Sequence, residues 1–158
     1  VDDFECLGLP AGNLNACEVH EVNSRIADVL RRKDPQIVFV PSKTDLHHDH
    51  NIVTYAAIVA LRPYLKDAKG VEAVYEYEVL SETNVLPSYQ ESFKPDTYID
   101  ISSKLSDKLD ACRCYKSQFQ ESLAPRSIEG VRQLALLRGS MIGIGAAEAF
   151  KTIYRKGL

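Results

Sequence analysis

Apolar positions along the chain keep one of two spacings, and each change of spacing marks a new element. Val19, Val22, Ile26, Val29 and Leu30 recur every three or four residues with Glu21, Asn23, Arg25 and Arg32 between them, which predicts an amphipathic helix from about Glu18. Asp34-Pro35 ends it, because a residue before proline is pushed out of helical geometry. The run Gln36-Ile37-Val38-Phe39-Val40 then reads as a buried strand. A second helical pattern, Ile52, Tyr55, Ala56, Val59 and Ala60, starts near Asn51 and stops at Pro63. Residues 71–79 alternate, with Val71, Ala73, Tyr75, Tyr77 and Val79 on one face and Glu72, Glu76 and Glu78 on the other. That alternation predicts a half-exposed strand near a sheet edge.

The pattern weakens at both flanks of this central part. Phe4-Glu5-Cys6-Leu7 is a short apolar run stopped by Gly8, Pro10 and Gly12, and it reads as a strand. With the helix and strand after it, it would form a right-handed crossover between parallel neighbours. Residues 81–95 have no period and read as a long loop. Tyr98-Ile99-Asp100-Ile101 reads as a strand, followed by a helix capped by Ser102 or Ser103 that turns Leu105, Leu109, Cys112 and Tyr115 inward. A last helix begins at Ser127 with Val131, Leu134, Leu137 and Ile142 on its apolar face, and Gly139, Gly143 and Gly145 at its far end imply a closely packed partner.

Composition narrows the function classes. The chain has 158 residues, 45% hydrophobic and 26% charged, which suits one globular domain rather than a disordered chain. No apolar run approaches the ~18 residues of a membrane span. A formal net charge of -3 argues against a nucleic-acid partner and for a small-molecule ligand. Cys6, Cys17, Cys112 and Cys114 show no disulfide framework, so a reducing, cytoplasmic setting is expected. The first residues carry neither an initiator Met nor a leader-like segment, and the chain reads as cut from something longer.

The candidate chemistry lies in Asp45-Leu46-His47-His48-Asp49-His50, between the strand ending at Val40 and the second helix. Loops at the carboxyl ends of strands line the crevice of an α/β sheet, and clustered imidazoles and carboxylates suit a borderline metal such as zinc. A zinc hydrolase needs about three protein ligands, a base for the bound water and an oxyanion stabiliser. His50 is the best candidate ligand. His47 can act as acid and oxyanion stabiliser, and Asp49 can accept its hydrogen bond and favour its charged form. His20 reads as a surface residue on the first helix, so the cluster supplies only part of a site.

Four stretches resemble the LmbE/PIG-L-like zinc-dependent N-acetylglucosaminyl deacetylases: Leu9-Pro10-Ala11-Gly12-Asn13-Leu14; Pro41 with Asp45 to His50; Tyr98 to Ser102 with Lys108, Ala111 and Tyr115 to Gln118; and Ala147-Glu148-Ala149-Phe150. The resemblance implies an α/β, Rossmann-like three-layer sandwich with a mostly parallel sheet. It also implies Zn2+ held partly by His50, with His47 as catalytic acid and Asp49 tuning it, and an N-acylated amino sugar as substrate. The family's histidine-proline-aspartate-aspartate-glutamate motif is not in this chain, and Asp2-Asp3 is too close to the Pro10 loop to replace it. The expectation is therefore that residues 1–158 are the C-terminal portion of a single domain. Such a portion would be inactive alone and either aggregated or paired through an open sheet edge as a homo-oligomer. Two other readings stand beside it: a sugar-binding or assembly module without the metal, and a metallo-β-lactamase-like hydrolase in which Asp45 replaces the first signature histidine.

Overall fold

A left-handed residue punctuates the first helix. In the computed structural model, which describes residues 3–121 and 124–157, α1 (Val19–Lys33) ends at Asp34, whose φ is 41° and whose N–H reaches the Leu30 carbonyl. Gly70 packs beside it, where a Cβ would lie 2.6 Å from the Asp34 carboxylate. Pro35 follows, and β1 (Ile37–Pro41) begins almost at once. Next come α2 (His48–Ala60), β2 (Ala73–Tyr77), β3 (Thr97–Asp100), α3 (Leu105–Arg113), α4 (Ile128–Ser140) and β4 (Ala147–Arg155). The strand order is β1-β2-β4-β3.

The sheet is mixed, which corrects the expectation of a mostly parallel one. The start of β1 meets the start of β2, since Glu72 and Ala73 donate to the Gln36 carbonyl, and this β1-α2-β2 crossover makes the one parallel pair among the described residues. At the other side of β2, Lys156 just after β4 donates to Glu72, so those two strands run oppositely. β3 and β4 are antiparallel, with Thr97 opposite Phe150 and Asp100 opposite Ala147.

The chain forms two compact units: one runs to Glu76 and takes in the chain from Ile153, the other spans Tyr77–Thr152. In the first, Val40, Ala57, Leu61, Val71 and Val74 form the core, with Ile26, Leu30 and Val38 packed on it. Two strand readings exchange places here. β1, read as buried, is at the sheet edge, where Val38 and Val40 face the core while Ile37 and Phe39 remain 52% and 44% exposed. β2, read as half-exposed, is internal, and Glu76 is buried with the Ser42 hydroxyl 3.4 Å from its carboxylate. A run of apolar side chains reports which faces can be buried, and a hydrogen-bonded carboxylate can sit inside.

The expected strand at Phe4 to Leu7 does not form. Phe4 is 84% exposed, the Leu7 carbonyl is taken by the Arg25 side chain at 2.9 Å, and the crossover drawn through that strand is absent among the described residues. Two helix faces are also narrower than their spacing suggested. Val19 and Tyr55 are exposed, and Thr54, Ala56 and Ala57 carry the buried side of α2.

In the second unit, the Ser127 hydroxyl accepts the Gly130 N–H at 2.9 Å and caps α4 as its position suggested. The Gly139 expectation holds as well, since a Cβ there would lie 2.7 Å from the Ala146 Cα and from the Ile144 carbonyl. Leu137 and Ile142 are exposed, however, and α4 stops at Ser140. Lys104, with no side-chain cap, precedes α3 in place of a serine cap. Ser102 instead donates to Asp100 at 2.6 Å and accepts the Ala146 N–H at 3.0 Å, while Tyr115 lies exposed beyond the helix. Residues 81–95 contain neither helix nor strand, and their own polar groups organise them: Gln90 donates to the Glu82 carbonyl and Asn84 accepts from Phe93, each at 2.9 Å.

Candidate active site

The site starts where β1 runs out. Ser42 is fully buried; its hydroxyl accepts the Thr44 N–H at 3.1 Å and its carbonyl accepts the Asp45 N–H, also at 3.1 Å. Thr54 on α2 donates to the Pro41 carbonyl at 2.7 Å, fixing the helix to the strand end. The turn therefore joins two already tethered elements, and its position is set from both sides.

Asp45 closes that turn. Its side chain has no solvent exposure: Oδ1 accepts the His47 N–H at 2.7 Å and Oδ2 lies 2.7 Å from His50 Nδ1. Asn51 grips the same stretch from the other side, donating to the carbonyls of Asp45 at 2.7 Å and His47 at 3.2 Å. His47 is the N-cap residue of α2 and His50 lies in its first turn, with the two rings stacked 4.6 Å apart. The histidines thus belong to the start of a helix that opens at His48, three residues earlier than the apolar spacing placed it. His48 and His20 are exposed.

Asp49 serves a different neighbour from the one its sequence position suggested. Its buried carboxylate accepts the Gly12 N–H at 2.5 Å and the Leu14 N–H at 3.0 Å, and no bond joins it to His47. It pins the loop before the short turn Leu14–Ala16, where Gly12 takes a φ of 78°. Asp45 is the residue that sequence reasoning left without a role. The signal for it was an aspartate two residues before His47, the spacing at which a side-chain oxygen meets a backbone N–H.

The donors for a metal do not fit a complete centre. Among the described residues no three His, Cys, Asp or Glu side chains converge, and His50 stands as a single prospective imidazole ligand. Asp2 lies outside the described residues. Asp3 is exposed and paired with Lys33, whose hydrogen bond holds its carboxyl below the usual range. The four cysteines are free thiols.

Residues 1–61 match the family described as PIG-L, GlcNAc-PI de-N-acetylase. Over 152 residues, 92% of this chain, it is 25% identical to the diacetylchitobiose deacetylase of Thermococcus kodakarensis and spans 55% of that protein. The chain is thus similar, over its first part by the family match and over most of its length by the relative, to the LmbE/PIG-L deacetylases. The conserved protein TT1542 of Thermus thermophilus superposes with a TM-score of 0.75 at 27% identity, covering 96% of this chain and 66% of that one. The N,N'-diacetylchitobiose deacetylase of Pyrococcus horikoshii, at 22% identity and a TM-score of 0.61, shares the fold over 84% of this chain and 51% of its own. The chain thus spans about half to two thirds of the length of these relatives.

The four family-like stretches fall into two pairs, one in each unit. In the first, Asp49 of the histidine stretch binds the Gly12–Leu14 loop. In the second, Tyr98 to Asp100 pair with Ala147 to Ala149, and Lys108 meets Glu148 at 2.5 Å.

Proposed function

We propose that the protein is a hydrolase of the deacetylase kind, removing an acyl group from an N-acylated amino sugar, with zinc as its metal. The observation that carries this reading is the Asp45-His47-His50 arrangement at the start of α2, inside the region matching a de-N-acetylase family. A bound zinc would polarise the amide carbonyl and supply the attacking water. His50 would contribute one ligand. His47, on the helix's N-terminal turn, would stabilise the tetrahedral oxyanion and protonate the leaving amine. Asp49 would hold the 10–14 loop against the helix start, a structural task in place of the proton-tuning task its spacing suggested.

We propose in addition that residues 1–158 alone do not turn over, His50 being the one metal ligand assigned within them. A non-catalytic module on the same fold is the competing reading. The metallo-β-lactamase-like one loses ground, because Asp45, its replaced histidine, is buried and committed to orienting others. The free thiols are consistent with a cytoplasmic setting, and no helix among the described residues is long and apolar enough to cross a membrane.

The test is acetate release from N,N'-diacetylchitobiose and N-acetylglucosamine, with added zinc or a chelator, for residues 1–158 and for the longest native form. Zinc-dependent release by the longer form, lowered about 10²- to 10⁴-fold by His47→Ala with zinc retained, is the expected result. His50→Ala should lose zinc and activity together. A longer form that binds zinc-free sugar and releases nothing would establish the non-catalytic module instead.

A further inference from the structure

We propose that Asp45 is a positioning residue, holding His50 in the Nδ1–H tautomer with its Nε2 lone pair presented as an electron-pair donor. Both Asp45 oxygens have assigned work: Oδ1 accepts the His47 N–H and Oδ2 lies 2.7 Å from His50 Nδ1. A carboxylate only accepts, so the proton between Oδ2 and the imidazole belongs to Nδ1, and a neutral ring with Nδ1–H has an unprotonated Nε2. No described residue bonds to that nitrogen, and the side chain is one-third exposed while Asp45 is wholly buried. Solvent therefore reaches the ring without competing at the carboxylate.

The backbone gives the carboxylate its precision. Asp45 is held through its N–H to the Ser42 carbonyl and its C=O to Asn51, so its side chain has little freedom to follow a wandering ring. The stacked His47 ring limits rotation of His50 about its own side-chain bonds. A carboxylate behind an imidazole in this way fixes both the ring plane and the tautomer. The same residue that shapes the turn at His47 therefore sets which atom of His50 is available. A partly formed site, lacking its other donors, would already carry one pre-aimed nitrogen.

This deepens the hydrolase reading and rests on the same histidines, but its test needs neither metal nor substrate. The chain labelled with 15N at histidine is examined at about pH 8, where an ordinary imidazole is neutral. Two-bond nitrogen–proton correlations then distinguish Nδ1–H from Nε2–H, with His50 assigned by the signals lost in His50→Gln. The expected result is Nδ1–H for His50 in the wild type and a shift to the Nε2–H form in Asp45→Ser. That hydroxyl can still accept the His47 N–H but does not extend to the ring. Asn51→Ala, which loosens the same turn from its other side, should leave the tautomer unchanged. An Nε2–H wild type overturns the proposal, as does an Asp45→Ser protein that keeps Nδ1–H. Equal shifts in both variants would mean that the turn alone is responsible, and would overturn it too. Should Asp45→Ser not fold, the wild-type and Asn51→Ala spectra decide. Absence of acetate release from the longest native form, with the expected spectra obtained, would count against the hydrolase reading alone.

Discussion

Replacing Asp49 by alanine should cost the protein about 3–4.5 kcal/mol, although the residue stands in a signature associated with catalysis. The figure comes from its partners. The Leu14 N–H is buried and bonded at 3.0 Å, so its loss removes a charge-assisted bond and strands a donor, worth about 1.5–3 kcal/mol. The Gly12 N–H, bonded at 2.5 Å, is only partly buried and can be rehydrated, which limits its share to about 1 kcal/mol. A carboxylate in the first turn of α2 adds about 0.5 kcal/mol through the helix dipole. Urea unfolding of wild type and Asp49→Ala, followed by far-ultraviolet circular dichroism, measures the difference. Amide hydrogen exchange at Gly12 and Leu14 then locates it: both amides should lose more protection than those of β1, which should speed up only as far as global stability falls. A loss below about 0.5 kcal/mol with unchanged exchange at the two amides would refute the anchoring role and return Asp49 to a purely chemical one.

Gly139→Ala should destabilise by about 1–3 kcal/mol despite alanine's better helix propensity, because the new methyl meets backbone atoms at 2.7 Å that cannot yield; thermal denaturation reads this directly. Arg138→Met should cost about 3–5 kcal/mol in the same assay, since Arg138 holds Glu78 through bonds of 2.8 and 2.6 Å and both side chains are nearly buried. Burial pushes the Asp96 carboxyl up, but Lys151 and Thr152 outweigh it and bring its pKa down to about 2. Its stabilising contribution is therefore complete above about pH 4 and lost as pH falls through about 2; being exposed, the pair is worth only about 0.5 kcal/mol, and Asp96→Asn should flatten that much of the acid limb in pH-dependent unfolding. Phe39→Lys should reduce self-association in light scattering if copies pair through the β1 edge, and a wild type that is already monomeric would end that expectation.

Local chemistry was legible in the sequence wherever the deciding interactions were local. The helix from Val19 to Lys33 followed from its apolar spacing and the Asp34-Pro35 stop, the Ser127 cap from its place before an apolar run, and the tight packing at Gly139 from glycine itself. The histidine cluster was visible for the same reason, since three of the four histidines fall within four positions. What the sequence left open is set by contacts between distant residues. Alternation showed which side chains of β1 and β2 share a face, but only strand pairing put β1 at the edge and Glu76 inside, with Ser42 beside it. Phe4 to Leu7 had the composition of a strand but pairs with no strand among the described residues, and Arg25 donates to the Leu7 carbonyl. Asp49 and Gly12 are 37 residues apart, and no spacing rule links them; only the folded chain brings that carboxylate onto the loop it clamps. Asp45 shows the division most clearly. Its bond to the His47 N–H was readable two residues away, but its hold on the His50 ring exists only because α2 begins at His48 and carries that ring back over the turn.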